Sequence, residues 1–284
     1  MSPPNVASTI DNKTAAHQPA QIDWFILTWF VVLHSIAIIG GYYFFSWGAL
    51  ITAAALYVLT GMVGITFGYH RLLSHRSFRA PRWLERTAAT IGALALQGTP
   101  AFWVATHRMH HAFVDTSADP HDANRGFWWS HIGWMLIKNP ELRNHLKMRK
   151  FARDIYADPY LAWLSQDIQQ ITLQVALGLV LLILGGWDYV IWGVFVRVIF
   201  VYHITWLINS ATHRYGYRNF ETEDGSANTW WVAVLAFGEG WHNNHHAFPD
   251  VAPAGLKWWE LDPTWILIRL LEQLGVVTQV KRHQ

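Results

Sequence analysis

The chain contains no cysteine. Disulfides, thiolate zinc sites and iron–sulfur clusters ligated by this chain alone are therefore excluded. Charge is scarce as well: Asp, Glu, Lys and Arg make up 14% of the 284 residues, against roughly a quarter in ordinary soluble domains. The formal net charge is only +2 and no long basic run exists, which argues against nucleic-acid binding through a basic surface. In their place stand 52% hydrophobic residues, with 18 Trp and 10 Tyr, a composition that excludes a disordered chain. There are also 16 His. Without thiols, any chemistry must run on imidazole and carboxylate.

A helix crossing the hydrocarbon core of a bilayer needs about 20 mostly apolar residues. Four such runs are legible, at about 24–45, 48–69, 168–187 and 189–209. Only Ser46 and Trp47 separate the first two, and the last two turn at Gly185, Gly186, Trp187 and Asp188. The pattern predicts an all-α polytopic membrane protein with four transmembrane helices in two hairpins. Residues 1–23 are polar and lack the basic start and cleavage site of a signal peptide, so they read as a cytosolic N-terminal tail. Residues 24–284 read as a single integral membrane domain. Neither hairpin turn carries Lys or Arg, whereas Arg71, Arg76, Arg79, Arg82 and Arg86 follow the second run, and Arg214 and Arg218 the fourth. The positive-inside rule then places blocks 70–165 and 213–284 in the cytosol, as a helical cap. Trp24, Trp47, Trp187 and Tyr189 stand at run ends as interfacial anchors. The stretch 83–103, interrupted by Arg86, Gln97, Gly98 and Pro100, reads as a surface or cap helix. A soluble helical protein with buried core helices is the alternative, and four runs of near-membrane length in two pairs speak against it.

Nine histidines fall into four groups: His70 and His75; His107, His110 and His111; His213, four residues after Asn209; and His242, His245 and His246. Spacings of three and four put side chains on one helix face. His70 and His75 lie about 140° apart on an ideal helix and converge only if the helix ends or distorts between them. All four groups reach the same membrane face. Neutral imidazole is the commonest metal ligand, and nine are too many for one ion. They fit two ions with four or five nitrogens each, with Asn209 as an oxygen ligand, direct or through water. Catalytic zinc, with three protein ligands and a water, fits less well than iron. Ligating histidines usually donate their other N–H to a carboxylate or carbonyl. Glu239, three residues before His242, and Asp119 are candidates, as is Asp122, although Asp115 and Asp122 read equally well as caps. His17, His34, His131, His145, His203 and His283 read as packed or interfacial. A metal-ion transporter would line up its histidines near the bilayer midplane, and only His34 and His203 lie within the runs. Arg197 stands near the middle of the fourth run, where an ionised group is expensive, with no partner visible in sequence.

The strings His70-Arg-Leu-Leu-Ser-His75, His107-Arg-Met-His-His111 and His242-Asn-Asn-His-His246 resemble the three histidine boxes of the membrane-bound fatty acid desaturases. Asn209-Ser-Ala-Thr-His213 resembles the extra Asn and His of the stearoyl-type (Δ9) branch. Asp119-Pro-His-Asp122 and the segment Gly126 to Trp134 are similar to the acyl-lipid Δ9 desaturases of photosynthetic bacteria. The resemblance runs from about Thr66 to Pro249. It implies two iron ions that activate O₂, remove two hydrogens from a mid-chain CH₂–CH₂ and leave a cis double bond. It implies the nine histidines above as ligands, with Asn209 acting through water and the division between irons open. It also implies that Gln97, Trp103 and Thr205 line the bend of an acyl tunnel, and that the substrate is a membrane lipid or an acyl thioester. Two electrons per turnover are needed, and no dinucleotide fingerprint, thiolate or haem-domain signature is legible in this chain. The implied donor is a separate protein, ferredoxin or, second, cytochrome b5. The implied location is a bacterial plasma or thylakoid membrane, with the site on the cytosolic side. A hydroxylase or ketolase using the same boxes is the related alternative, and a hydroxylated product without alkene would identify it.

Overall fold

The computed structural model describes residues 20–283, so His17 and most of the polar N-terminal segment lie outside the described residues. Among the described residues the architecture is all-α, with only isolated β-bridges. Three helices of the described residues are long and apolar enough to cross a membrane: α1 (Trp24–Tyr43), α2 (Trp47–Ser74) and a 44-residue helix, Asp167–Ser210.

The third of these is not one straight rod. Gly186 takes φ 79° and ψ −163°, a conformation that glycine adopts without a Cβ clash. Residues 181 and 193 would lie about 18 Å apart along a continuous helix. Instead, a Cβ placed on Gly193 would come within 2.6 Å of the Leu181 side chain. The chain therefore doubles back at Gly186, and Leu181, Val190 and Val194 pack together. The limb before Gly186 is called α5 and the limb after it α6. Ser46, in the turn between α1 and α2, caps α2 by accepting from Ala49 N (3.2 Å) and donates to Asp188. Both turns thus sit at one end of the molecule. Large apolar side chains face outward along these helices, with Ile183 84% and Ile38 71% exposed, a surface that suits lipid rather than water.

Two expected boundaries move. The second run does not end at residue 69: α2 continues through His70 to Ser74. The stretch 83–103 is not one helix. Helix α3 (Arg82–Ala93) stops, residues 94–99 turn with Leu96 and Gly98 at positive φ, and α4 (Pro100–Phe113) begins. Thr99 caps α4 by accepting from Phe102 N (3.2 Å), and Pro100 occupies its first turn, where a missing N–H costs nothing. Helix α3 packs against α2 backbone to backbone. A Cβ on Gly64 would lie 2.7 Å from Gly92, so only glycine permits this approach. Helix α4 is then held over the end of α2, with Val104, Ala105 and Met109 in a core shared with Tyr69 and Leu73.

Candidate metal centre

Four elements bring the nine histidines together. Near the end of α2 the backbone closes i to i+5, His75 N–H donating to His70 O (3.1 Å), and the Ser74 hydroxyl donates across the same interval to Tyr69 O (2.7 Å). This wider turn is the distortion that the five-residue spacing required; such turns recur at functional sites. It brings the two rings to 4.8 Å between centroids. Helix α4 carries His107, His110 and His111, the short helix α7 (His242–Ala247) carries the third box, and His213 follows the end of α6.

The rings divide into two sets. One comprises His70, His75, His107, His111 and His245, the other His110, His213, His242 and His246; within each set the ligand atoms all lie within 4.8 Å of one another. Each H-x-x-H-H box serves both sets. In α4 the i, i+4 pair His107 and His111 joins the first set and His110 the second. In α7 the i, i+4 pair His242 and His246 joins the second set and His245 the first. The sets adjoin, with the His111 and His246 rings 4.8 Å apart.

Carboxylates fix the tautomers. His110 Nδ1–H donates to Asp119 (2.9 Å) and His246 Nδ1–H to Asp224 (2.9 Å). His213 Nδ1 meets Asp115 at 3.3 Å. His70 Nδ1 stands 2.7 Å from Glu239 Oε2, with the N–H directed off the oxygen. Burial pushes the imidazoles of His75, His107, His111, His242 and His245 well below the ordinary histidine range. Burial also lowers His110 and His246, against the opposing pull of Asp119 and Asp224. Burial alone would raise the carboxyls of Asp119, Asp224 and Glu239. The histidines beside them, and Arg71 beside Glu239, carry all three below the usual carboxylate range.

The donor set can be tested for its fit to metal. With Nδ1 of both His110 and His246 protonated toward carboxylates, both Nε2 atoms carry lone pairs. These atoms face each other at 3.3 Å, where no hydrogen bond is possible and only a cation between them relieves the repulsion. Other Nε2 pairs stand at 3.2 Å (His70–His245), 3.0 Å (His111–His245), 3.1 Å (His213–His242) and 2.7 Å (His75–His107). Two nitrogens bound at right angles to one ion at about 2.1 Å lie about 3.0 Å apart. The two sets fit two metal ions, and their imidazole chemistry is consistent with a di-iron cofactor.

A cavity runs from this centre between the helices. His107, His110, His242 and Asn209 stand at one part of its wall, and Tyr57, Gly61 and Phe237 at another. Trp103 and Thr205 line it, and Trp103 stacks on His107 at 5.1 Å. Gln97 does not line it. It stands behind the wall, donating to Thr205 Oγ1 (2.7 Å) and accepting from Trp103 Nε1 (3.2 Å).

Glu239 stands against His70, not His242, and Asp119 against His110. Asp122 instead caps a short turn by accepting from Asn124 N (2.9 Å). Asp115, read equally as a cap, reaches His213 and also accepts from Gly225 N (2.7 Å). Asp224 gives no signal in the sequence, since it lies 22 residues before His246, with no helical spacing to betray it. The two asparagines between His242 and His245 carry no such signal either. Asn243 Oδ1 accepts from Asn219 N (2.8 Å) and Phe220 N (2.9 Å), while Asn244 donates to Glu260 (2.8 Å) and Ala254 O (2.9 Å). They anchor α7 on its far side and leave its histidines free to face the centre.

Membrane-length apolar helices converging on paired histidine sets define a class: a helical, membrane-associated protein with two adjoining histidine sites that suit a pair of metal ions. The chain belongs to the fatty acid desaturase family, whose model, described as "Fatty acid desaturase", matches residues 45–280. It is 52% identical over 266 residues to an sn-1 stearoyl-lipid 9-desaturase of Anabaena variabilis, covering 92% of this chain and 94% of that one. It is 50% identical over 259 residues to an sn-1 stearoyl-lipid 9-desaturase of Synechocystis sp. (91% and 80% covered). To an sn-2 palmitoyl-lipid 9-desaturase of Nostoc sp. it is 48% identical over 261 residues (92% and 90% covered).

Proposed function

We propose that this protein is an O₂-dependent acyl-lipid Δ9 desaturase, inserting a cis double bond into a saturated acyl chain esterified in a glycerolipid. One observation carries the reading: an apolar cavity between membrane-length helices abuts a two-metal histidine centre. A chain drawn from the bilayer enters such a cavity without crossing water. The three relatives support the lipid substrate and position 9. The first two are named for stearoyl chains at sn-1 and the third for palmitoyl chains at sn-2.

In this reading His70, His75, His107, His111 and His245 hold one iron. His110, His213, His242 and His246 hold the other, with Asn209 beside it through water. The two irons supply the oxidising chemistry that activates O₂ for removal of hydrogen from the acyl chain. The protein's own residues do the rest. Asp119, Asp224, Asp115 and Glu239 orient imidazoles and keep their Nε2 lone pairs turned inward. Trp103 and Thr205 hold the acyl chain at the bend, so that the distance from head group to centre selects the carbon attacked. Helices α1, α2, α5 and α6 cross the membrane as two hairpins, with the centre in a cytosolic cap of a plasma or thylakoid membrane. Electrons come from a separate one-electron donor, ferredoxin before cytochrome b5.

Expression in a host without desaturases, followed by position mapping in each lipid class, tests this. A cis Δ9 bond in glycerolipid-bound chains is the expected product. Unsaturation confined to acyl-CoA would move the substrate assignment, and a hydroxy or keto acid without alkene would replace the reaction. A second experiment addresses the cavity. Trp103→Phe removes the bond to Gln97, and Thr205→Val removes its partner. Each should alter chain-length preference or bond position while iron per chain stays constant. Parallel loss of iron and product, with position intact, would show that they support the centre without lining a tunnel.

A further inference from the structure

The turn at residues 94–98 presents an unusual problem. It is non-helical backbone packed among membrane-length helices, and such backbone persists at membrane depth only where protein satisfies its polar groups. Here side chains of α5 and α6 do so. Arg197 NH1 donates to Leu94 O (2.6 Å), where Gln174 Nε2 also donates. Tyr202 OH donates to Leu96 O (2.6 Å). Gln97, the residue after the second anchored carbonyl, bridges Trp103 and Thr205 and also approaches Val201 O (3.4 Å). Arg197, Val201 and Thr205, four residues apart, share one face of α6, and Tyr202 stands beside Val201 at the edge of that face.

Arg197 is the anomaly. It is 1% exposed and none of its hydrogen bonds goes to a carboxylate. Its acceptors are Gly193 O (2.9 Å), Leu94 O, and more distantly Thr60 Oγ1 and Gln174 Oε1, both at 3.4 Å. A buried charge in lipid without a counter-ion is costly and is generally functional or paired. It does not touch the cavity. What it holds is the turn that carries Gln97.

We propose that Arg197, with Tyr202, is a positioning residue for the reaction: it fixes the 94–98 turn so that Gln97 locks Trp103 and Thr205 in the wall of the acyl cavity. A guanidinium suits this task because its fork serves several carbonyls at once, and a bond from a charged donor resists displacement as the chain slides past. The inference rests on the reading of that cavity as the acyl tunnel. A displacement of about 1 Å in a substrate-positioning wall costs up to about a hundredfold in rate, and the carbon presented to the centre shifts with it.

The test compares Arg197→Met, Arg197→Lys, Tyr202→Phe and Gln97→Ala with the unaltered full chain in a host without desaturases. It reads double-bond position, product per iron and iron per chain. Arg197→Met should spread unsaturation onto neighbouring carbons and lower product per iron about tenfold to a hundredfold, with iron content intact. Arg197→Lys, which keeps a charged donor for Leu94 O, should recover part of the positional fidelity. Tyr202→Phe deletes one oxygen and should shift the product in the same direction, so it decides the matter should Arg197→Met fail to accumulate. A single unaltered bond position in both Arg197→Met and Tyr202→Phe, with Gln97→Ala scrambled, would overturn the inference and leave the tunnel standing. Loss of iron in step with product would overturn it as well, by reducing Arg197 to a support of the fold. Unaltered position in Gln97→Ala too would remove the tunnel reading and the inference together.

Discussion

Replacement of His110 by alanine is expected to eliminate the unsaturated product and about half of the bound iron, while the protein still inserts into membranes. His110 belongs to the four-nitrogen set, which has fewer donors than its neighbour. Its Nε2 faces that of His246 at 3.3 Å, so removing one ring leaves the other without a shared ion. The apolar helices that drive insertion do not include α4. Iron analysis of purified protein beside product analysis checks the result, and full activity in the variant would take His110 out of the ligand set. Asp119→Asn grades the same prediction. Asp119 Oδ2 accepts from His110 Nδ1 (2.9 Å) and Asp115 N (3.0 Å), and Oδ1 accepts from His121 N (3.0 Å). An amide in its place must turn its NH₂ toward one of these donors. The orientation of His110 then loosens, and a fall of about 10- to 100-fold in metal affinity or activity follows.

These residues also show what a sequence can and cannot reveal about such a protein. The apolar runs and the histidine boxes were legible because their spacing is local: helix periodicity alone places i and i+4 side by side. The division into five and four was not, since it depends on how α4 and α7 face one another across the centre. Asp119 could be found because it lies close behind its box. Asp224 could not, because a loop returns it to His246 from 22 residues away. The turn at 94–99 was visible in Gly98 and Pro100, yet the apolar character of 83–103 suggested a single element. Arg197 announced itself as a charge in an apolar run. Its two shortest bonds go to backbone carbonyls, and no side-chain pattern in a sequence encodes a carbonyl released by a broken helix.

Arg71 joins the stability of the fold to the first histidine set, and Arg71→Met is expected to damage both. The guanidinium is 2% exposed. Nε and NH2 donate to Glu239 Oε1 (3.1 and 2.9 Å), NH1 and NH2 to Asp262 (2.9 and 3.0 Å), and NH1 also to Ala252 O (2.7 Å). Asp262 in turn caps the helix α8 (Pro263–Gln273) by accepting from Trp265 N (2.9 Å). Methionine would fill much of the volume but leave two buried carboxylates without a counter-charge, at a cost of about 3–5 kcal/mol. For a chain of this size that corresponds to a fall of roughly 10 °C in apparent melting temperature. Without Arg71, burial would push the Glu239 carboxyl upward against His70 alone, weakening its contact with His70 Nδ1 at 2.7 Å. Iron should therefore leave the five-histidine set before the protein unfolds. The triple variant Arg71→Met, Glu239→Gln, Asp262→Asn separates the two effects. With the carboxylates neutralised, much of the lost melting temperature should return. Iron affinity should not, because an amide lacks the negative charge that the carboxylate sets 2.7 Å from His70 Nδ1. Melting curves in detergent and iron per chain provide both readouts. An unaltered melting temperature in Arg71→Met would mean that the buried cluster carries no net stability.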